Sequence, residues 1–277
     1  MNKLQEILAA KRNEVEKNKA LYPVKLLEQS VFFGAAPVPL SAYLLREDLH
    51  GIIAEFKRRS PSRGMINEFA DPATITLRYM QAGASALSVI TDKDFFGGSN
   101  KDLVLARQNN YCPVLRKDFI VDEYQIFESR SMGADVILLI ASALTRKELL
   151  HFHRVANELG MEVLVEIHDP VELDKLPADV RLLGVNSRNL NDFSVNTDHA
   201  LKVCNQLPDH VIKIAESGID SPETLLKLKE AGYKGFLMGE RFMREADPGK
   251  ACYRFIKLLK GLIQEKTFDH EGSEKNN

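Results

Sequence analysis

"SMGADVILLIASALTRKELLHFHRVANELGMEVLVEIHD", residues 131–169, holds one complete repeating unit. The apolar run DVILLIA (135–141) leads to Thr145, with Glu148 three residues on, the reciprocal capping pair that starts a helix. The helical stretch closes at Gly160, a residue type that adopts the left-handed C-cap and turns the chain back. A second apolar run, EVLVEI (162–167), follows at once. Strand, helix and strand at this spacing imply parallel pairing through a crossover.

The unit recurs on both sides. Further apolar runs lie at 51–56, 86–91, 113–119, 182–186, 211–216 and 235–239, bringing the candidate strands to about eight. Two are weak: PVLRKDF is short, and LLGVN is interrupted by a glycine. Asp71–Pro72 and Ser221–Pro222 read as N-caps with proline at the first helical position. Four helices end in glycine just before a strand, in QAGASALSVI, SMGADVILLI, NELGMEVLVEI and EAGYKGFLMG. Eight such units predict a closed (β/α)8 TIM barrel over 48–264, with an open doubly wound sheet as the rival. No G-x-G-x-x-G follows the first strand, which weakens the dinucleotide-binding form of that rival. Residues 1–47 stand outside the repeat and predict an N-terminal helical extension packed on the barrel, a solvated or oligomer-contacting arm being the plainer alternative. The polar end, 265–277, is expected to be a disordered tail.

With 277 residues and 44% hydrophobic content the chain can bury a sizeable core. Its 37 basic and 39 acidic residues nearly balance, which argues against nucleic acid or a membrane surface as a partner of the whole surface. Cys112, Cys204 and Cys252 match no zinc or redox spacing, and His151 and His153, two apart in a helical stretch, do not share a face. They are expected to be solvated, and no metal site is expected. A cytoplasmic location and a monomer are the expectations from a sequence with no long apolar run.

Active sites of such barrels lie at the C-terminal strand ends. The first strand runs into IIAEFKRRSPSRG (52–64), where Glu55 and Lys57 share a face with Ile53 and extend an apolar row with charges. Leu164 and Glu166 repeat that pattern, with His168 two residues further along the same face. The third strand ends in Lys117 and Asp118, the sixth in Asn186 and Arg188, the seventh in Glu216, Ser217 and Gly218, and the eighth in Gly239 and Glu240. Each residue alone also fits a plainer role: a buried ion pair for Glu55 and Lys57, a rim salt bridge for Lys117, a satisfied rim histidine for His168. Together they point to acid–base chemistry, with a glutamate at 166 able to act as a base. Gly218 and Gly239, after strands seven and eight, fit the common phosphate site of these barrels, with Ser60 and Arg188 as further donors.

Seven ordered blocks, IIAEFKRRSPSRG, VITDKDFFGGS, VLRKDFIVDEYQI, VLVEIHD, GVNSRNL, IAESGI and FLMGERFMR, closely resemble the indole-3-glycerol-phosphate synthase family of tryptophan biosynthesis. The resemblance implies a carbon–carbon lyase that closes the pyrrole ring of 1-(2-carboxyphenylamino)-1-deoxyribulose 5-phosphate, releasing carbon dioxide and water without a cofactor. It implies Lys117 as the general acid, Glu166 as acid/base partner in dehydration, Lys57 as the cation for the anthranilate carboxylate and Glu55 as its neighbour. Asn186 and Ser217 resemble orienting residues. Ser60, Arg188, Gly218, Gly239 and Glu240 resemble phosphate and substrate contacts, and Phe119 and Leu190 resemble walls for the aromatic ring. Arg63, where lysine is frequent, and Phe242, where leucine is usual, are the departures. Such a trianionic substrate implies a locally basic pocket. A Schiff-base aldolase using Lys57 or Lys117, and a non-catalytic binding barrel, are the rival readings.

Overall fold

The computed structural model describes residues 3–189, 194–196 and 198–274. Eight strands, β1 (Ile52–Phe56), β2 (Ala86–Ile90), β3 (Val114–Lys117), β4 (Val136–Ile140), β5 (Glu162–Ile167), β6 (Leu182–Asn186), β7 (Ile212–Glu216) and β8 (Gly235–Met238), close into a barrel. Every neighbouring pair is parallel, β1 pairing with both β2 and β8. The chain is therefore a (β/α)8 TIM barrel, and the open-sheet rival is excluded by the β1–β8 pairing.

Strand parity divides the core in two. Ile53, Leu115, Leu138, Leu164, Leu182, Ile214 and Leu237 point inward and pack in one cluster. Their alternate neighbours, among them Ile52, Val114, Leu139, Val165, Val185 and Phe236, pack outward against the helices. Asp71 and Ser221 cap their helices through side-chain oxygens, and Thr145 with Glu148 forms the capping box. Gly83, Gly133, Gly160 and Gly232 all have left-handed φ, between 78° and 113°, where a Cβ would be strained.

The extension wraps both ends of the barrel. Helix α1 (Lys3–Leu21) sends Leu4, Ile7, Leu8 and Val15 into the inward cluster beside Phe119 and Tyr124, across the C-terminal rim near β2 and β3. The short helix Leu40–Leu44 serves the opposite end: Ser41 Oγ and N both donate to Glu162, at the start of β5, and Leu44 approaches Gly235 at the start of β8.

The last helix runs Pro248–Glu274, and residues 275–277 of the expected tail lie outside the described residues. One expectation is corrected. His153 is buried rather than solvated, its ring 3.2 Å from the Asn157 amide, and burial lowers its pKa.

Candidate active site

Five of the eight inward rows end in a polar side chain at the C-terminal rim. Glu55 and Lys57 continue the row of Ile53, Lys117 that of Leu115, Glu166 that of Leu164, Asn186 that of Leu182, and Glu216 that of Ile214. These six side chains line a single cavity of about 570 Å³ at the barrel mouth. Most are buried, so their charges must be met inside the protein.

Lys117 is the centre. Its Nζ lies 2.8 Å from Glu166 Oε2 and 3.2 Å from Glu216 Oε2. Burial opposes the ammonium, but the Glu166, Glu216 and Glu55 carboxylates outweigh it and hold the lysine charged, its pKa raised. The two glutamates respond in opposite directions. Burial and the Glu166 charge push Glu216 up to about 8, against the pull of Lys117. Burial also works against Glu166, yet the Lys117 ammonium and the Asn186 amide bring it below the usual glutamate value. The two coupled carboxyl groups are thus pushed apart, Glu216 towards its protonated form and Glu166 towards its ionised form. Divergent pKa values of this kind mark acid and base roles.

A polar chain orients Glu166. Asn186 Nδ2 donates to Glu166 Oε1 at 3.1 Å, while Asn186 Oδ1 accepts from Arg188 N at 2.9 Å and from Ser217 Oγ at 3.0 Å. Ser217 takes φ of 69°, the sole non-glycine residue with positive φ among the described residues, and such strain concentrates at functional sites. Across the mouth Lys57 Nζ sits 2.7 Å from Glu55 Oε1. Gly239 makes room for that carboxylate, since a Cβ there would stand 2.4 Å from Glu55 Oε1.

The remaining residues divide by strand order. After β6, β7 and β8 come Arg188, Gly218, Gly239, Glu240, Arg241 and Arg244, all lining the cavity. Arg188 Nη1 donates to Ser62 Oγ at 3.0 Å, and Arg63 Nε to Glu240 Oε1 at 2.9 Å. Around β2 to β4 an apolar stretch of wall stands beside Asp92 and Asp118: Phe96 and Phe119, 6.0 Å between ring centres, with Leu138 and Ile140. A locally basic pocket is thus found only on the arginine side, where four arginines face Asp220 and Glu240. The lysine side is not basic, because its ammonium groups are matched by glutamates. Among the described residues no cluster of three or more His, Cys, Asp or Glu could hold a metal ion.

One expected position is not brought into the wall. Ser60 is buried, with its Oγ 3.4 Å from Ser62 Oγ, and it is Ser62 that faces the cavity. Parity does not extend into the 59–65 hairpin turn, so the choice between two serines was not readable from spacing. Leu190 lies outside the described residues. Glu216 was missed as a site residue although it carries the same signal as Glu55 and Glu166, a carboxylate ending an inward apolar row. The glycine that seemed to interrupt β6 belongs to it: a Cβ at Gly184 would stand 2.2 Å from Glu216 Oε1.

The raised Glu216 pKa carries a stability consequence. Because its folded value of about 8 lies above the ordinary 4.5, folding takes up a proton. The stability it contributes is whole below the unfolded value and is lost as pH rises through about 8. Glu216→Gln cannot titrate, so its Tm relative to the parent should climb between pH 6 and pH 9. A Tm difference constant over that window would contradict the assignment.

A (β/α)8 barrel whose mouth holds a lysine between two buried glutamates carries the groups that acid–base enzymes use. The family model for indole-3-glycerol phosphate synthase matches residues 4–255. A relative of that description from Bacteroides thetaiotaomicron is 43% identical over 256 residues, covering 92% of this chain and 98% of its own. Another, from Laribacter hongkongensis, is 45% identical over 258 residues, covering 90% and 96%. Among solved structures, 3-hexulose-6-phosphate synthase from Salmonella typhimurium aligns with TM-score 0.60 at 14% identity, over 76% of this chain and 99% of that one, and so shares the fold. The chain belongs to the indole-3-glycerol phosphate synthase family, carboxy-lyases of tryptophan biosynthesis.

Proposed function

We propose that this cavity performs the family reaction on 1-(2-carboxyphenylamino)-1-deoxyribulose 5-phosphate with Lys117 as the general acid. The observation that carries the reading is the Lys117 ammonium held at 2.8 Å and 3.2 Å from two carboxylates on the cavity floor. As the ring carbon bearing the carboxylate attacks the ketone, negative charge builds on the carbonyl oxygen and Lys117 delivers a proton to it. Carbon dioxide then leaves, and its bonding electrons restore the aromatic ring. In the second stage the new hydroxyl takes up a proton and departs as water, while the methylene carbon beside the nitrogen loses a proton and its C–H electrons form the ring double bond, giving the indole.

Glu166, the ionised member of the pair, takes up a proton in dehydration, and Glu216 returns one to the lysine side. Lys57, with Glu55 tempering it in the empty site, pairs with the anthranilate carboxylate. Asn186 and Ser217 hold Glu166 and the rim in register. Arg188, Gly218, Gly239 and Glu240 form the phosphate side with Ser62, and Ser60 supports that turn from behind. Phe119, with Phe96, stacks beside the aromatic ring, and Leu190 is assigned to the same wall. The substrate is a small phosphorylated molecule and no cofactor takes part, since electrons flow from the broken carbon–carbon bond into the ring. A monomer in the cytoplasm is part of this reading. No described helix is long and apolar enough to cross a membrane.

An aldolase that forms a Schiff base needs a neutral amine, and the carboxylates around Lys117 oppose that state. The test is indole fluorescence from the purified protein with the aminodeoxyribulose phosphate. Turnover should persist after exhaustive chelation. No indole product, or a borohydride-stable adduct on Lys57 or Lys117 with a phosphorylated ketone, would overturn the reading.

A further inference from the structure

Two histidines sit behind the site and touch none of the residues assigned to substrate except through the backbone. The β5–β6 ladder ends at Ile167 paired with Val185. The next carbonyl, Asn186 O, receives no strand amide from β5. It accepts instead from His168 Nδ1 at 2.8 Å. A carbonyl can only accept, so Nδ1 carries the proton. That proton is present in the neutral tautomer and in the imidazolium alike, so the bond does not depend on the charge of the ring.

The same peptide unit is held from its other side. Ser187 N donates to Glu216 O at 2.9 Å, so the plane from which β6 turns away is pinned on one edge by His168 and on the other by β7. His168 is itself fixed. Its backbone N–H donates to Glu172 Oε2 at 2.7 Å, and its carbonyl accepts from His199 Nε2 at 2.5 Å. The two imidazoles stack with centres 4.7 Å apart and planes 23° apart. Directly upstream of the pinned plane is the Asn186 side chain, whose amide meets Glu166 at 3.1 Å.

We infer that His168 is a positioning residue for the reaction: its Nδ1–H fixes the Asn186 peptide and thereby aims the Asn186 amide at Glu166, with His199 as the backing that holds His168 in place. The inference rests on the role given to Glu166 above. Losing the bond removes one of the two restraints on the Asn186–Ser187 peptide, so the Asn186 amide is aimed less tightly at Glu166, whose ionised form it favours. The effect falls on the chemical step and not on substrate binding, because neither histidine lines the cavity.

The experiment is steady-state kinetics of indole formation for three variants of the full chain. His168→Leu removes the donor, His168→Asn places an amide N–H near the Nδ1 position, and His168→Gln places one near Nε2. The leucine variant should lose about tenfold in kcat, the rate equivalent of one hydrogen bond, with KM within about twofold. Asparagine should recover most of that loss and glutamine little of it. A role in packing alone would treat the two amides alike, so the asparagine–glutamine contrast decides even where the leucine variant fails to fold. Parental kcat in His168→Leu, equal recovery by both amides, or a loss expressed in KM alone would each overturn the inference. Glu166→Gln, run alongside, separates it from the reading beneath it. Full turnover there would remove the role of Glu166 itself, whereas low turnover there with parental turnover in His168→Leu would remove only the histidine.

Discussion

Lys117→Met should lower kcat by about two to four orders of magnitude, the usual worth of a positioned general acid. Methionine keeps the length and the stem of the side chain while removing the ammonium proposed to protonate the carbonyl oxygen. Affinity for a substrate analogue should change little, because the anthranilate carboxylate and the phosphate are assigned to Lys57 and to the arginine side. The variant should fold, since Glu166, left without the ammonium, can take up a proton as its pKa rises. Single-turnover indole fluorescence and a separate analogue titration measure the two quantities. Retention of most of the parental turnover would remove Lys117 as the acid, and an equal loss in both would make it a binding residue.

Lys11→Met should be the most damaging change to stability outside the site. Lys11 is 1% exposed and lies on α1, yet its Nζ is 3.0 Å from Asp118 Oδ1, 3.2 Å from Asp92 Oδ2 and 2.9 Å from Glu14 Oε2. Burial opposes this ammonium and the Asp118 and Asp92 charges override it, so its pKa is raised. Removing one partner from a buried ionic cluster leaves the others uncompensated, at a cost of about 3–5 kcal/mol. Arg116 still serves Asp118 at 3.1 Å, but Asp92 keeps only the backbone N–H groups of Phe95 and Phe96. A fall in Tm of about 10 °C by calorimetry corresponds to that cost in a chain of this size. Lys11→Met with Asp92→Asn should recover part of it. A fall of only one or two degrees would show that the cluster is not needed to hold α1.

The barrel was readable because its signals are local and repeated. Capping pairs, glycine stops and alternating apolar rows each act within a few residues, and all agree. The site was readable where a charge continued an inward row, as at Glu55, Lys57 and Glu166. Glu216 carried the same signal, behind Ile212 and Ile214, but beside Ser217 and Gly218 it read as one more polar residue of the rim. Ser62 and Phe96 lie on turns, where no period assigns a direction to a side chain. Lys11 was hidden for a different reason. Within KLQEILAAKRNEVEKNKAL a lysine reads as part of a solvated charged face, because its partners at 92 and 118 are remote in sequence. Buried ion pairs between distant segments have no local pattern, and neither does the backbone bond from His168.

The order in which the polypeptide is made gives the α1 clamp another meaning. Helix α1 leaves the ribosome before its fastenings, Asp92 and Asp118 for Lys11 and Asp122 for Lys19, which are synthesised long afterwards, the last of these 103 residues downstream. The nascent helix must wait for them, and closing so long a loop adds to the entropic barrier. Strand β1 waits longer still, for β8 near the end of the chain, and until it pairs there Gly239 is not brought against Glu55. Lys117 likewise has no Glu216 beside it until β7 has been made. An incomplete or stalled chain is therefore catalytically silent, and the appearance of activity during synthesis would time the moment of ring closure.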